Sequence, residues 1–459
     1  MYVGGACFRG YVVYGGYRKV GEPIKKVGVV ICNYNKEDAV LECIQCILDS
    51  KFTDFSLYVV DNASTDQSVE KIRRSYEGKL ELIVNEENLG GSGGFNKGLR
   101  RAYANGHPYV MCVDNDAMLD ENAIGELYAF LEEHEEAGMA GAKVYHMEMP
   151  AYVQQFGQKV DFENYCTEVY YYNAFEDGSM PEYLYVDSVA ACSLMVRRSV
   201  IDEIGFMPEE NFLYWDDTEW CYRCNLAGHK VASVGSAKAL HAMGAKNEVV
   251  NTFPTYYAWR NWLVFFARYT PEQDLEKMTG MFLEAVFSNI YQGLHSGESN
   301  RSRTIMLACD DAIHDIMGKA GENRIFELEF DLAHYQSTFQ GISRIYVEDN
   351  GFVVTKEHFQ WILNNQLGFE VEWLEKEEPG ATKVALCESI FSLKEYDAQK
   401  IYVDVSDCIL ADETDAKYVE NYPIAKQSFV FAMLPVFLEG VREIRKKNDE
   451  RVKSGGNHG

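Results

Sequence analysis

Between Val27 and about Glu136 the chain alternates short apolar runs with segments whose apolar residues recur at helical spacing, and this alternation limits its fold more than any other feature. Runs 27–32, 57–60, 80–84 and 109–113 are too short for buried helices and read as buried strands. Between them, apolar positions 40, 43, 44, 47 and 48 follow the 3.6-residue period. Ser64 with Gln67 makes a capping-box start, and a glycine loop at 90–94 opens a helix to about Asn105. A further helix is expected over 121–136. Such a β-α-β-α-β-α-β series demands a mostly parallel α/β sheet with right-handed crossovers.

Beyond it, the Tyr-rich alternation of 150–190 predicts antiparallel strands at the sheet edge, followed by a helix at 216–228 and a strand at 230–234. The pattern is helical over 255–325. From Phe326 a second α/β pattern begins, with strands at 342–347, 369–373, 384–386 and 401–405, a helix near 356–365 and a terminal helix at 425–450. The expected organisation is a short β segment over 1–26, an α/β catalytic domain over 27–255, a helical extension over 256–325 and a small α/β domain over 326–459.

In open α/β sheets ligands bind at the carboxyl ends of the strands. Here those ends carry Asn33, Asp61-Asn62 and Asp114-Asn115-Asp116. Any one of these is readily an Asx turn or a helix cap, but three on one rim point to a site. Asp114 and Asp116, two residues apart on a turn, are able to face one cation. Hard oxygen ligands of that kind suit Mn²⁺ or Mg²⁺, which would neutralise charge on a leaving diphosphate. Gly90 and Gly91 open a helix where backbone N–H groups meet an anion. A dinucleotide fingerprint competes for this loop, but it belongs after the first strand of a unit rather than the third. Trp215-Asp216-Asp217-Thr218-Glu219 opens another helix, offering a carboxylate to deprotonate a hydroxyl and aromatic neighbours to stack on a sugar; the bland alternative is acids complementing a helix dipole. His241, after a short strand, completes a metal shell or serves the core. Arg260, in Tyr257-Ala-Trp-Arg260-Asn261, pairs with a phosphate or anchors a helix.

A net charge of −28 argues against a nucleic-acid partner. The 12 cysteines, several within apolar runs, fit reduced thiols. The pairs Cys43–Cys46 and Cys221–Cys224 lie in helical patterns, where this spacing marks one face rather than zinc. With no charged segment and long apolar stretch at the N-terminus, a cytoplasmic protein is expected. No uninterrupted run reaches about 18 apolar residues, so no spanning helix is expected. The apolar stretch 428–438 with the basic run 442–447 reads as a core-packing helix, with peripheral attachment to the inner face of a membrane as the alternative.

Taken in order, NYN, VVDNASTD, ENLGGSGGFNKGL, VDND, YWDDTEW, LHAMG and YYAWRN resemble glycosyltransferase family 2, with its GT-A fold, over about residues 27–325. The likeness is to bacterial galactofuranosyltransferases and rhamnosyltransferases. The resemblance implies an inverting, metal-dependent transfer of a sugar from a nucleotide diphosphate to a glycan or lipid-linked acceptor. UDP-galactofuranose is the first donor expected and dTDP-rhamnose the alternative. It places Asn33, Asp61, Asn62, Gly90, Gly91, Asp114 and Asn115 at the donor, and Asp114, Asp116 and His241 on the metal. Asp217 becomes the general base, and Trp215, Asp216, Glu219, Tyr257, Arg260 and Asn261 the acceptor side. Residues 326–450 have no counterpart in it and are assigned to oligomerisation, membrane attachment or contact with another enzyme. The rival of another class is a non-catalytic scaffold of the same fold, and a dinucleotide-dependent oxidoreductase is the third reading.

Overall fold

The computed structural model describes residues 23–242 and 251–455, with 6–8 and 11–14. It divides into two compact units, Met1–Val249 with Met317–Ala320, and Val250–Ile316 with Gly321–Gly459.

The first unit is built on a 12-stranded sheet. Strands Glu81–Asn85, Phe55–Asp61, Val27–Asn33 and Tyr109–Asp114 lie side by side and parallel. They read as continuous apolar runs because both faces are covered: Val29 and Ile31 face one core cluster and Val30 the other, all at 0% exposure. Each such side chain contributes roughly 1.5–3 kcal/mol through burial. Beyond Tyr109–Asp114 the sheet turns mixed. Ser193–Arg197 runs antiparallel between it and Ala137–His146, and Lys230–His241 is parallel to the latter. Tyr183–Val186 closes that edge antiparallel, as the alternation of 150–190 predicts. At the other edge Ala6–Phe8 and Tyr11–Tyr14 form a hairpin on Glu81–Asn85.

The strand order reverses between Val27–Asn33 and Tyr109–Asp114. The first strand is followed by neighbours on one side, and the fourth is laid on the other. Asn33 and Asp114 end the two strands at this reversal, the place where open α/β sheets bind their ligands.

The helix Gly90–Ala104 forms despite its glycines, each roughly 1 kcal/mol poorer than alanine in a helix. Close packing is the compensation. A Cβ on Gly98 would stand 2.3 Å from Val30 Cγ1, and one on Gly94 2.4 Å from Cys32 Sγ. The expected glycine loop is thus the first turns of a helix pressed onto the sheet.

In the second unit, helices Phe253–Tyr269, Leu275–His295 and Ser299–Ile313 group with a five-stranded sheet ordered Glu372–Leu374, Arg344–Glu348, Thr382–Cys387, Ile401–Asp404, Ile409–Leu410. The terminal helix is longer than the sequence pattern suggests. It runs Glu413–Gly455, with Pro423 and Pro435 inside. Lys426 and Gln427 interrupt the apolar run, yet an 18-residue window still has mean hydropathy 1.4, long and apolar enough to cross a membrane by length and composition. One face packs on Leu275–His295, with Phe429 and Phe437 against Phe287 and Phe282 and Val441 fully buried, while Phe431 on the other face is 84% exposed.

Candidate active site

The rim at the reversal is assembled by register. Cys32 pairs with Asp114 and Asn33 with Asp61 across the parallel strands. After Asp116 the chain makes a short strand, Ala117–Leu119, antiparallel to the end of Lys230–His241, with Ala117 opposite His241. Pairing between segments far apart in sequence thus delivers the histidine to the aspartates.

Asp114, Asp116 and His241 bring one ligand atom each to within 4.8 Å of one another. His241 Nε2 lies 3.3 Å from Asp116 Oδ1 and 3.6 Å from Asp114 Oδ2. Its Nδ1 donates to Gln154 Oε1 at 2.8 Å, and Gln154 Nε2 donates to the His241 carbonyl at 3.2 Å. This pair of bonds fixes the ring and leaves Nε2 facing the carboxylates, the outer support typical of a ligating imidazole. Lys36 forms an ion pair with Asp116. Neither Lys36 nor Gln154 is singled out by the sequence.

The charges are unevenly satisfied. Desolvation, partly offset by His241, lifts Asp114 to about 6, with Asp116 and Asp217 adding to the rise. Burial works in the same direction on Asp116, but the hydrogen bond from His241 and the charges of His241 and Lys36 outweigh it and hold that carboxyl below its ordinary value. Burial also opposes charge on His241, yet its bond to Asp116 and the two carboxylates raise its pKa. Two carboxylates and an imidazole, one carboxylate lacking full countercharge, fit a hard divalent cation such as Mn²⁺ or Mg²⁺.

Beside this cluster stands the loop that opens the helix Asp216–Leu226. Phe212, Tyr214 and Trp215 all hold φ between 61 and 65°, a left-handed backbone costing of order 1–3 kcal/mol per non-glycine residue. The glycine helix pins this loop, for a Cβ on Gly90 would lie 2.1 Å from the Phe212 carbonyl oxygen. Asp216 is buried, and desolvation followed by Asp217 pushes it up to about 8. Burial raises Asp217 as well, against hydrogen bonds from the Ala191 and Thr218 N–H groups at 3.1 and 2.7 Å. Cys32, at the floor, feels Asp114, Asp61 and Asp216 together; after burial, their charges raise its thiol pKa. Asp217 reaches the end of the sheet that carries Asp114, since Ala191, whose N–H it accepts, lies two residues before Ser193, the partner of Val113.

Other expected residues are placed less openly. Asn33 is fully buried, donating to Asp61 Oδ2 at 3.0 Å and accepting from Asn115 Nδ2 at 2.8 Å. Asn62 uses its whole amide internally: it donates to Asn88 Oδ1 and the Gly90 carbonyl and accepts from Asn85 Nδ2 and the Leu89 N–H. It ties the rim to the glycine helix. Gly91 faces Leu213 and Asp216, 3.6 and 3.9 Å from where its Cβ would be. Glu219 is buried and accepts from Asn211 Nδ2 at 3.3 Å, whereas Trp215 is half-buried at the helix start. Tyr257, Arg260 and Asn261 belong to the second unit and are buried there. Arg260 bonds Asn261 Oδ1 at 3.0 Å and lies over the Tyr256 and Tyr257 rings.

Residues 28–205 match the family described as Glycosyl transferase family 2. The chain is 28% identical over 219 residues to the dTDP-rhamnosyl transferase RfbF of Shigella flexneri, covering 48% of this chain and 69% of the relative. It is 32% identical over 114 residues to the poly(ribitol-phosphate) beta-N-acetylglucosaminyltransferase TarS of Staphylococcus aureus, 24% of this chain and 19% of the relative. Over 200 residues it is 23% identical to the galactofuranosyltransferase GlfT2 of Mycobacterium tuberculosis, 40% of this chain and 31% of the relative. The chain therefore spans about two thirds of the first of these and less than a third of the other two.

Proposed function

From residues 28–205 as a family 2 glycosyltransferase segment with the GT-A type of sheet, we propose that this protein transfers a sugar from a nucleotide diphosphate to a hydroxyl of a glycan or lipid-linked acceptor, with inversion at the anomeric carbon. The observation that carries the reading is that Asp217 and the Asp114, Asp116, His241 cluster share one end of the sheet: Asp217 accepts from the Ala191 N–H, two residues before Ser193, which pairs with Val113 beside Asp114.

Asp114, Asp116 and His241 would hold Mn²⁺ or Mg²⁺, which when bound supplies positive charge to the donor's diphosphate. Asn33 and Asp61 form the floor on the nucleoside side, held rigid by their mutual bond and by Asn115. Gly90 is buried and its N–H is held by Asn88 Oδ1 at 2.8 Å, so of the two glycines the half-buried Gly91 is the one assigned to the donor's phosphates. Asp217 takes the proton of the acceptor hydroxyl as its oxygen bonds the anomeric carbon and the bond to the diphosphate oxygen breaks. Burial raises its affinity for that proton, while the Ala191 and Thr218 bonds keep it oriented. Trp215 and Tyr214 wall the acceptor side, and Asp216 and Glu219 support the loop from within.

UDP-galactofuranose and dTDP-rhamnose stand as donors of equal rank, since relatives named for each sugar match. Nucleotide release in Mn²⁺ with each donor tests this reading. Turnover with one is expected, and binding of neither refutes it. A non-catalytic scaffold would show the same donor binding in wild type and D217N with turnover in neither. The exposed apolar stretch around Phe431, followed by basic residues from Arg442, supports peripheral attachment to an anionic membrane surface.

A further inference from the structure

The second unit carries its own histidine and aspartate cluster, which the proposed transfer does not use. His295 ends the helix Leu275–His295, His334 lies in the helix Ala333–Phe339, and Asp415 sits in the first turn of the helix Glu413–Gly455. One ligand atom from each lies within 4.8 Å of the others. His334 Nε2 is 3.1 Å from Asp415 Oδ1, and the two imidazoles meet edge to face with centroids 5.1 Å apart.

The surroundings of the three side chains match those of a ligand set. His295 Nε2 lies 2.7 Å from the Ile409 carbonyl, so that nitrogen carries the hydrogen and the lone pair is on Nδ1. His334, whose Nε2 faces Asp415, bonds the backbone of His295 as well. The second oxygen of Asp415 accepts from the Ala411 N–H at 2.8 Å, and Asp415 is only 4% exposed. Metal-binding imidazoles are commonly held in this way, one ring nitrogen on a carbonyl and the other on the ion. Tyr418 stacks on the His295 ring at 4.7 Å and on Tyr291 at 4.1 Å, restricting rotation of the imidazole.

We propose that His295, His334 and Asp415 form a site for a borderline divalent cation, Zn²⁺ above all, which links the start of the long terminal helix to the helices that carry the two histidines. Two imidazoles with one carboxylate favour Zn²⁺ over Mg²⁺ or Ca²⁺, whose preference is for oxygen. Three protein ligands leave a fourth tetrahedral position for water. A plain ion pair between His334 and Asp415 explains the 3.1 Å contact, but it gives no reason for His295 to bring its own fixed ring to the same point.

The test uses the full chain carrying D116N, which weakens cation binding at the first cluster. After treatment with chelator, addition of Zn²⁺ and dialysis, about one equivalent of zinc should remain, and Zn²⁺ should raise the melting temperature. In D116N/H295Q and D116N/H334Q both effects should vanish. Zinc retained in both histidine variants, or an unshifted melting temperature in the parent, overturns the proposal in favour of the ion pair. Should a histidine variant fail to fold, Co²⁺ added to the parent decides the matter. Intense visible d–d absorption of a tetrahedral complex is expected, and its absence overturns the site.

Discussion

The two units hold clusters of the same ingredients in opposite proportion. At the rim of the first sheet two aspartates meet one histidine; among the helix ends of the second unit two histidines meet one aspartate. Two further acids, Asp216 and Asp217, begin the helix that follows a loop with three left-handed residues. Aromatic rings flank the second, with Tyr418 stacked on one ligand. Excess negative charge, a base at hand and a strained loop suit a site that exchanges anionic ligands. Two imidazoles and one carboxylate, with Tyr418 stacked on one ring, suit a site that holds a borderline cation. The two proposed uses thus draw on the same residue types and are set apart by their neighbours.

The largest expected effect separates the two uses. D116N should cut turnover at least about 10²-fold, because cation stabilisation of a leaving diphosphate is worth several kcal/mol. H334Q should leave turnover largely intact while lowering stability by about 1–3 kcal/mol, the cost of leaving a buried partner unpaired. Steady-state rates and denaturant titrations of both variants read this, and equal loss of turnover would erase the distinction. Next comes D217N, with turnover down by about 10²–10⁴-fold and donor affinity little changed, measured by single-turnover rates and equilibrium binding. Loss of donor binding instead would move Asp217 from the acceptor side to the donor. A smaller effect belongs to Gln154, the counterpart of the Ile409 carbonyl in the second cluster. Q154L should weaken Mn²⁺ binding about 10–100-fold without touching the ligands themselves, and recovery of full rate at high Mn²⁺ would identify a positioning role.

The contrast also marks where sequence is readable. The first cluster was visible because its acids follow apolar strands, and a strand end in a βαβ series has a known address. Asp114 and Asp116 are legible for that reason, and so are Asn33 and Asp61. Gln154 and Lys36 follow no such rule; one reaches the site from a short strand after a turn, the other from the loop behind Asn33, and only the folded chain shows them pointing inward. The second cluster was invisible because His295, His334 and Asp415 are scattered along the chain and meet only through tertiary packing. The start of the terminal helix at Glu413 is not legible, because polar residues before Ser428 mask its apolar face. The glycines were assigned to a ligand when most of them serve a neighbour.

That last point yields the smallest and most local prediction, and it bears on why the first cluster is rigid enough to differ from the second. Gly98 lies one helical turn beyond Gly94, over Val30 and Val60, on the strands whose ends carry Asn33 and Asp61. A methyl group there would sit 2.3 Å from Val30 Cγ1, so strand or helix must shift. G98A should therefore cost about 1–3 kcal/mol of stability, as overpacking does, even though alanine is the better helix former by nearly 1 kcal/mol. Chemical denaturation gives the sign directly. A stabilised G98A would mean that helix and sheet have room to part, and the glycines would then be kept for the phosphates at the helix start. A destabilised G98A whose Mn²⁺ affinity is also reduced would show that the tight seat of this helix is transmitted to the rim, a coupling for which the second cluster, fastened among helix ends, has no equivalent.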